Sequence, residues 1–299
     1  MAMKKFVCKV CGHVHEGTAA PDICPVCKAP ASEFAEQPAK KGMFSDKNGN
    51  PYIIMYSTVM VVVVATLLAV AALGLQARQN ANMLNEKKQA ILQSLFAAEA
   101  AAAETDAADF IAGKGLAYDS FIEASVLDAE GRATEGEDVF ALLGDLKASF
   151  DAGKYPIFAA EDGRVVIPVT GSGLWGPVWG YVALEKDMNT VAGIVLDHKG
   201  ETPGLGAEIA TPKFQSYFVG KKIFEGDEFV SVALRKGGAS AERIDHEVDA
   251  ISGGTKTSDG VTAMLRNSLS HYLPYLEARR AAEAAGEVSN AEIADNNEQ

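Results

Sequence analysis

The chain has 299 residues, with 27 Lys and Arg against 40 Asp and Glu, which gives a formal net charge of −13. This length suits one large domain or two smaller ones, and a hydrophobic content of 48% excludes a wholly disordered chain. The acid excess argues against nucleic acid as a partner, because neutralising phosphates needs a basic surface. The four cysteines are too few for a disulfide scaffold.

All four cysteines lie before residue 30, in two CxxC pairs separated by twelve residues. Each CxxC knuckle brings two thiolates to one metal, and two knuckles complete a tetrahedral site. Zn²⁺ and a single iron both suit four thiolates, and ligand type alone does not separate them. Four free cysteines or two disulfides are the alternatives, and neither needs both pairs at this spacing. The predicted metal ligands are Cys8, Cys11, Cys24 and Cys27.

The segment FVCKVCGHVHEGTAAPDICPVCKAPASEF, from Phe6 to Phe34, resembles the rubredoxin-like domain of rubrerythrins. The resemblance implies a mononuclear iron site and electron transfer. Rubredoxins usually carry an aromatic residue two positions after the second cysteine and a glycine after the fourth. His13 and Lys28 occupy those positions here, which leaves structural zinc open. We expect a rubredoxin-like metal domain over 1–38 and a linker over 39–52.

Residues 53–75 form an uncharged apolar run. At 1.5 Å per residue it covers about 34 Å, enough to cross a hydrocarbon core of about 30 Å, so we predict one transmembrane helix. Positive charges near the two ends are balanced and do not set the orientation. A four-cysteine metal site suits the reducing cytosol, and the chain after the run has no cysteine. We therefore expect a single-pass protein with a cytoplasmic N-terminus.

After the span, residues 76–117 are rich in Ala, Glu, Lys and Gln and are predicted to form a helical connector. From residue 118, short β-rich runs alternate with Gly and Pro turns and with a helix at 258–273. This mixture favours an α+β fold for residues 118–276 over a doubly wound fold. Residues 277–299 are predicted to be an acidic, disordered tail. The β-rich runs are at 164–170, 179–184, 189–196 and 229–234.

The segment DAISGGTKTS, residues 249–258, leads from a strand-like run through two glycines to a helix that we expect Ser258 or Asp259 to cap. Glycines allow close backbone approach to an anion, and a helix N-terminus favours phosphate. By spacing alone, however, a plain turn is the commoner explanation of such a segment.

The same segment resembles the D-x-x-S/T-G-A-T-x-T/S signature of covalent FMN-binding domains. In that family a flavin transferase joins FMN through its phosphate to the last threonine of the S-G-A-T core. The resemblance implies that Thr255 is the acceptor, with Gly254 in place of the usual alanine, and that Thr257 helps to hold the phosphate. The segment HKGETPGLG, residues 198–206, resembles the loop of that family beside the isoalloxazine ring. The implied cofactor-binding residues are Ser252, Gly253, Gly254, Thr255, Thr257, Glu201, Thr202, Gly204, Leu205 and Gly206.

A third run, GSGLWGPVWGY at 171–181, matches the G-L-W-G-P-x-W-G-Y pattern of one branch of related proteins. Its tryptophans, Trp175 and Trp179, could stack on a flavin, but we expect both to pack in the core. We assign no catalytic residue beyond the flavin, because the cofactor carries the redox chemistry. The histidines left without a catalytic role are His198, His246 and His271.

The order of one span and these three motifs, over residues 50–275, resembles the NqrC family, whose members are subunits of Na⁺-translocating NADH:quinone reductases. The rubredoxin-like head is an addition to that pattern. The resemblance implies an electron-carrying subunit of the bacterial inner membrane, with covalent FMN in a periplasmic domain. It would relay single electrons from a membrane iron–sulfur centre to the FMN of NqrB on the way to quinone. The implied partners are the other subunits of the Nqr complex, especially NqrB, NqrD and NqrE, and the flavin transferase.

Two alternatives remain at this stage. The RnfG-type flavin subunit of the ferredoxin-linked Rnf complex shares the span, the ETPGLG-type loop and the threonine acceptor, but the GLWGPVWGY run favours the quinone reductase. A non-enzymatic membrane scaffold or sensor with a zinc ribbon would treat SGGT as a plain turn and would carry no chromophore.

Overall fold

The computed structural model describes residues 3–38 and 49–284. The chain divides into two compact units, Met1–Arg78 and Gln79–Gln299. Residues 39–48 of the predicted linker and 285–299 of the predicted tail lie outside the described residues.

The first unit begins with three short strands: β1 (Lys4–Cys8), β2 (Val14–Gly17) and β3 (Phe34–Gln37). They form an antiparallel sheet in the order β2-β1-β3, and a 3₁₀ turn at Ala31–Glu33 precedes β3. The last residue of the central strand is Cys8, so the strand delivers the first predicted ligand directly to the metal site. A sheet this small buries little apolar surface, and a bound metal would therefore contribute much of the folding free energy.

The predicted span lies within one long helix, α1 (Asn50–Leu95), of 46 residues. Its most apolar stretch has a mean hydropathy of 2.7, and none of that stretch is buried. Apolar side chains on every side of an exposed helix are typical of a membrane span rather than of an amphipathic surface helix. By length and composition, α1 is the one helix in the described part of the chain that could cross a membrane.

A six-stranded antiparallel sheet is the centre of the second unit. Its strands are β4 (Ile122–Leu127), β5 (Ala133–Thr134), β6 (Tyr155–Ala160), β7 (Val165–Ser172), β8 (Pro177–Leu184) and β9 (Val191–His198). In space they follow the order β5-β4-β6-β7-β8-β9. Three of the predicted β-rich runs correspond to β7, β8 and β9. Both faces of these strands are covered, which explains why their sequences are continuous apolar runs.

One face of this sheet packs against the helix α8 (Thr255–Ser270), which follows the parallel strand pair β12 (Ala233–Arg235) and β13 (Glu247–Asp249). Met264 and Leu265 of α8 belong to the same buried cluster as the inward-facing residues of β7. The helix can approach β7 closely because residue 260 is a glycine. A Cβ at this position would overlap the carbonyl oxygen of Ser172. This close packing fixes the position of the helix N-terminus.

The opposite face is covered by the end of α1 and by short helices: α2 (Ala97–Ala102), α3 (Ala107–Lys114) and α5 (Val139–Leu142). Ile91, Leu95 and Phe96 are buried there against sheet residues such as Phe158. The predicted boundary at residue 118 therefore falls inside one compact unit that begins at Gln79. The composition of the predicted connector correctly indicated helices. It did not indicate that the apolar residues of these helices cover one face of the sheet.

Arg164 holds these helices to the sheet. Its buried guanidinium donates to the Leu95 carbonyl at 2.6 Å and pairs with Glu99 at 2.9 Å and Asp162 at 2.8 Å. It also lies 4.9 Å from the centre of the Phe96 ring. One cation thus fixes the end of α1 and the start of α2 to the turn between β6 and β7.

The remaining elements are short: α4 (Tyr118–Phe121), α6 (Leu146–Asp151), α7 (Pro212–Gln215), β10 (Phe224–Glu225), β11 (Glu228–Phe229), and 3₁₀ turns at Gly206–Ala210, Ser216–Phe218 and Ala241–Arg243. The run at 229–234 was predicted to be a single strand. It is divided between β11 and β12 because Ser231 has a left-handed φ of 61°.

The last described helix, α9 (Leu273–Ala284), includes the first eight residues of the predicted disordered tail. It is ordered by packing, since Leu276 is fully buried and Arg280 lies over the Phe224 ring at 4.2 Å. An alanine-rich acidic composition is compatible with both a helix and a disordered segment. The burial of Leu276 stabilises the helix.

Candidate functional site

The four cysteines of the first unit converge on one point. All four Sγ atoms lie within 4.8 Å of one another, and the Cys8–Cys27 and Cys11–Cys24 pairs are each 3.6 Å apart. A tetrahedral metal with bonds of about 2.3 Å to sulfur places its ligands about 3.8 Å apart, so the cluster fits one metal ion. The separations are too long for disulfides.

The backbone around the cysteines supports thiolate ligands. The two knuckles close in the same way, with Gly12 N–H donating to the Cys8 carbonyl and Lys28 N–H to the Cys24 carbonyl. Gly12 and Lys28 both have positive φ, 75° and 58°, so Lys28 adopts the conformation that a glycine usually supplies.

Burial raises the pKa of the Cys24 thiol, but hydrogen bonds from the Cys27 and Val26 amides and from the Cys11 and Cys27 thiols outweigh burial and lower that pKa to about 6. The Ala29 amide lowers the pKa of Cys27, but burial and the thiol–thiol hydrogen bonds outweigh it and raise that pKa to about 12.

The second candidate site lies at the start of α8. The loop before it turns at Gly253, which has a φ of 75°, and a Cβ there would also overlap the Leu205 side chain. The first amide bonded within the helix is that of Ser258, which donates to the Gly254 carbonyl at 2.9 Å. The three preceding amides, of residues 255–257, therefore face the region beyond the helix end, as an anion requires. Thr255 is the first helical residue and is half-exposed.

The helix thus begins at Thr255, three residues before the predicted Ser258 cap. No side chain caps it, and Gly254 is the N-cap residue. Ser258 instead accepts a hydrogen bond from the Ile251 amide through its hydroxyl at 3.2 Å. This bond closes the loop and leaves the helix N-terminus to a ligand.

Glu201 connects all three sequence motifs. One carboxylate oxygen accepts the Trp175 N–H at 2.8 Å, and the other accepts the Thr257 hydroxyl at 2.6 Å. The residue is buried, and a Cβ on Gly173 or Gly206 would overlap its carboxylate. Burial raises the pKa of Glu201, but the donated hydrogen bonds outweigh burial and hold it below its usual value of 4.5. Glu201 is therefore a carboxylate that fixes the walls of a cleft.

The cleft measures about 140 Å³, below the roughly 300–1,000 Å³ of pockets that enclose a small molecule. It can therefore hold only part of an FMN. The helix N-terminus suits the phosphate, and the apolar side chains suit a planar ring, so the residues present fit this cofactor. The lining residues are Leu174, Trp175, Glu201, Thr202, Leu205, Gly206, Gly253, Gly254, Thr255, Lys256 and Thr257.

Eight of the ten predicted cofactor residues line this cleft, while Ser252 and Gly204 do not. Thr257 is buried and its hydroxyl is bonded to Glu201, so its side chain braces the loop. Contact between Thr257 and phosphate remains a prediction.

The sequence-based assignment omitted Leu174, Trp175 and Lys256 from the site. The prediction that both tryptophans pack in the core was wrong: Trp175 is 68% exposed and Trp179 37% exposed. The reason is that the turn before β8 is fixed by Glu201, which leaves the Trp175 side chain at the cleft edge. The GLWGP motif was the signal that could have identified it.

Comparison with known proteins agrees with this geometry. The sequence model of the FMN-binding domain matches residues 173–270, which include every residue lining the cleft. The model of the rubrerythrin rubredoxin-like domain matches residues 6–35, which include all four cysteines. The NqrC subunit of the Na(+)-translocating NADH-quinone reductase from Vibrio vulnificus is 32% identical over 217 residues, 67% of this chain and 82% of that protein.

The chain belongs to the NqrC family. A relative from Neisseria meningitidis is 41% identical over 124 residues, 41% of this chain and 47% of that protein. The crystal structure of the NqrC subunit from Parabacteroides distasonis superposes with a TM-score of 0.57 at 40% identity, covering 68% of this chain and 96% of that one. The predicted family and the mixed α and β fold are confirmed, as are an FMN-binding domain, one long apolar helix and a four-cysteine head.

Proposed function

We propose that this chain is an electron-carrying subunit of a Na⁺-translocating NADH:quinone reductase, with FMN joined by a phosphoester to Thr255. The observation that carries the proposal is that Thr255, a partly exposed residue at the N-terminus of α8, lines a cleft with apolar side chains in its walls. Membership of the NqrC family and the match to the FMN-binding domain support it. When bound, FMN would supply one-electron chemistry that no amino-acid side chain of the cleft provides.

The residues around Thr255 would each have a distinct role. The amides of residues 255–257 would bind the phosphate, and Lys256, the one cation among the cleft residues, would add positive charge beside it. Leu174, Trp175 and Leu205 would cover the isoalloxazine ring and exclude water from it. Glu201 would hold these walls in place without contacting the reacting atoms, through its bonds to the Trp175 amide and the Thr257 hydroxyl.

The proposed path takes single electrons from a membrane iron–sulfur centre, through this chain, to the FMN of NqrB and then to quinone. We place the protein in the bacterial inner membrane, with residues 53–75 as its span, the N-terminus in the cytoplasm and the FMN domain in the periplasm. The span contains no Asp, Glu, Lys, Arg or His, so the Na⁺ path must lie in other chains of the complex, with NqrB, NqrD and NqrE as the nearest partners. A flavin transferase is required for maturation.

For the head we propose an additional one-electron relay through iron held by the four cysteines. The four converging thiols and the match to the rubredoxin-like domain of rubrerythrins support it. Metal analysis of the purified chain distinguishes iron from zinc. Bound iron with a reversible absorbance change would support the relay, whereas stoichiometric zinc would make the head a structural module.

The test of the flavin proposal compares Thr255→Ala with Thr255→Ser in a host that has the flavin transferase. The wild type should carry the added mass of one FMN less one water, and should fluoresce in a denaturing gel. Thr255→Ala should lose both signals, whereas Thr255→Ser keeps the hydroxyl and should retain part of the adduct. An unmodified wild-type chain, or an adduct that persists in Thr255→Ala, would refute attachment at Thr255. An unmodified wild type would favour the non-enzymatic scaffold.

A further inference from the structure

The strand β9 ends at His198, shortly before the carboxylate that holds the cleft walls. His198 is paired with Val178 of β8, so its backbone belongs to the central sheet. Its ring atom Nδ1 accepts the Glu201 amide N–H at 3.2 Å. Because Nδ1 accepts a hydrogen bond, the ring proton is on Nε2 and the imidazole is neutral. The ring is therefore a fixed acceptor at the point where the loop leaves the sheet.

The loop that carries Glu201 has little restraint of its own. Gly200 directly precedes it and Gly204 follows with a φ of 74°, and a Cβ on either glycine would meet open space. Glycines lose more conformational freedom on ordering than other residues. In the described part of the chain, the bond to His198 is the one hydrogen bond of the Glu201 main chain. This bond therefore ties the Glu201 backbone to the sheet.

The Glu201 side chain transmits this position to two walls of the cleft. Its carboxylate accepts the Trp175 N–H at 2.8 Å and the Thr257 hydroxyl at 2.6 Å. Trp175 is in the turn before β8, and Thr257 is in the first turn of α8. His198 itself does not line the cleft. It can therefore influence a bound ligand only through Glu201.

We propose that His198 is a positioning residue of the flavin site, which places the Glu201 carboxylate between Trp175 and Thr257 by accepting the Glu201 amide at Nδ1. The proposal rests on the flavin function proposed for the cleft. A carboxylate can fix two walls only if its own backbone is fixed, because hydrogen bonds weaken steeply with angle and distance. Binding sites commonly depend on such support from residues that do not touch the ligand. No proton or electron passes through His198 in this role.

The test compares three substitutions that separate the acceptor atom from the rest of the ring. His198→Asn keeps an acceptor at the same place, because Oδ1 of asparagine and Nδ1 of histidine are both bonded to Cγ. His198→Gln is the matched control: it carries the same amide group one bond further out, nearer to the position of Nε2. His198→Ala removes the acceptor. Each full-length chain is placed in nanodiscs at pH 8, where imidazole side chains are neutral.

The first readout is the chemical shift of the Trp175 amide proton, measured without flavin. The chain has two tryptophans, so ¹⁵N-labelled tryptophan gives two backbone amide signals, which Trp179→Phe assigns. An amide that donates to a carboxylate makes a strong hydrogen bond and resonates downfield, and Glu201→Ala gives the position without that bond. Wild type and His198→Asn should share the downfield position, whereas His198→Gln and His198→Ala should shift upfield towards Glu201→Ala. The Trp179 amide, within β8, should stay in place and shows that the sheet is folded.

The second readout is acrylamide quenching of flavin fluorescence in chains produced with the flavin transferase. It reports how well the cleft walls cover the ring. His198→Gln and His198→Ala should raise the quenching constant by about twofold or more, with His198→Asn close to wild type.

Two results would overturn the proposal: a Trp175 signal that is the same in all three variants, or one that moves as far in His198→Asn as in His198→Gln. Equal quenching of a bound flavin in every variant would also overturn it. The expected Trp175 shifts in a chain that takes up no flavin would support the positioning of Glu201 and refute the flavin function. A flavin adduct with an unmoved Trp175 signal would do the opposite.

Discussion

Replacing Glu201 tests whether the cleft walls depend on one buried carboxylate. In Glu201→Ala the Trp175 amide and the Thr257 hydroxyl lose their common acceptor, and both groups are in tightly packed surroundings. Glu201→Gln is the milder change, because its amide oxygen can accept from one donor and its NH₂ group can donate to the Thr257 hydroxyl. We therefore expect the order of stability wild type, Gln, Ala.

The expected size of the effect follows from the two hydrogen bonds. A hydrogen bond to a charged group contributes about 1.5–3 kcal/mol. Glu201→Ala also removes the cost of burying the carboxylate. Solvent at the open side of the cleft weakens both the hydrogen bonds and this desolvation cost. We therefore expect Glu201→Ala to lower the free energy of unfolding by about 2 kcal/mol. For a domain of this size, that loss lowers the Tm by about 4–8 °C.

The dependence on pH identifies the charge as the cause. Because the pKa of Glu201 in the folded protein lies below its ordinary 4.5, its stabilisation is complete above about pH 4.5 and is lost as the pH falls through the folded value. The difference in Tm between wild type and Glu201→Gln should therefore stay nearly constant from pH 7 to about 4.5 and shrink as the pH is lowered further.

The assay is thermal unfolding of the full chain, followed by near-ultraviolet circular dichroism across that pH range. Glu208→Gln is the control, because Glu208 lies in the next turn and its side chain has no hydrogen bond within the described residues. A Tm difference for Glu201→Gln that is independent of pH, or one no larger than that of Glu208→Gln, would refute the role given to this carboxylate.

Three further outcomes are expected. Burial raises the pKa of Glu185, so its negative charge destabilises the fold above pH 4.5. Glu185→Gln should therefore raise the Tm at pH 7 and lose that gain at pH 4. A lower Tm of Glu185→Gln at pH 7 would contradict this. Gly193→Ala should cost about 1–3 kcal/mol in thermal unfolding, because a Cβ there overlaps the Ser94 carbonyl, whereas Gly113→Ala has open space and should be neutral or stabilising. Chelation of the metal should unfold residues 3–38, and hydrogen exchange should then show loss of amide protection in the head but not in the second unit. Unchanged protection in the head would count against a structural metal.

Short-range features of this protein could be read from the sequence alone. The metal ligands were predictable because each CxxC knuckle is a local turn that brings two sulfurs together whatever surrounds it. The apolar run was predictable because a bilayer sets the length of a span. Thr255 was singled out by resemblance of its motif; the structure places it at the start of α8, and its role as acceptor remains a prediction.

The tertiary structure decided what depends on residues far apart in the chain. Thr257 and Glu201 are 56 positions apart, and their hydrogen bond is possible only because α8 lies against the loop after β9. The same carboxylate binds the Trp175 amide and leaves the indole exposed, which the apolar character of tryptophan did not predict. Amino-acid type and periodicity indicate which side chains can be buried, but the packing of α8 on β7 determines which ones are.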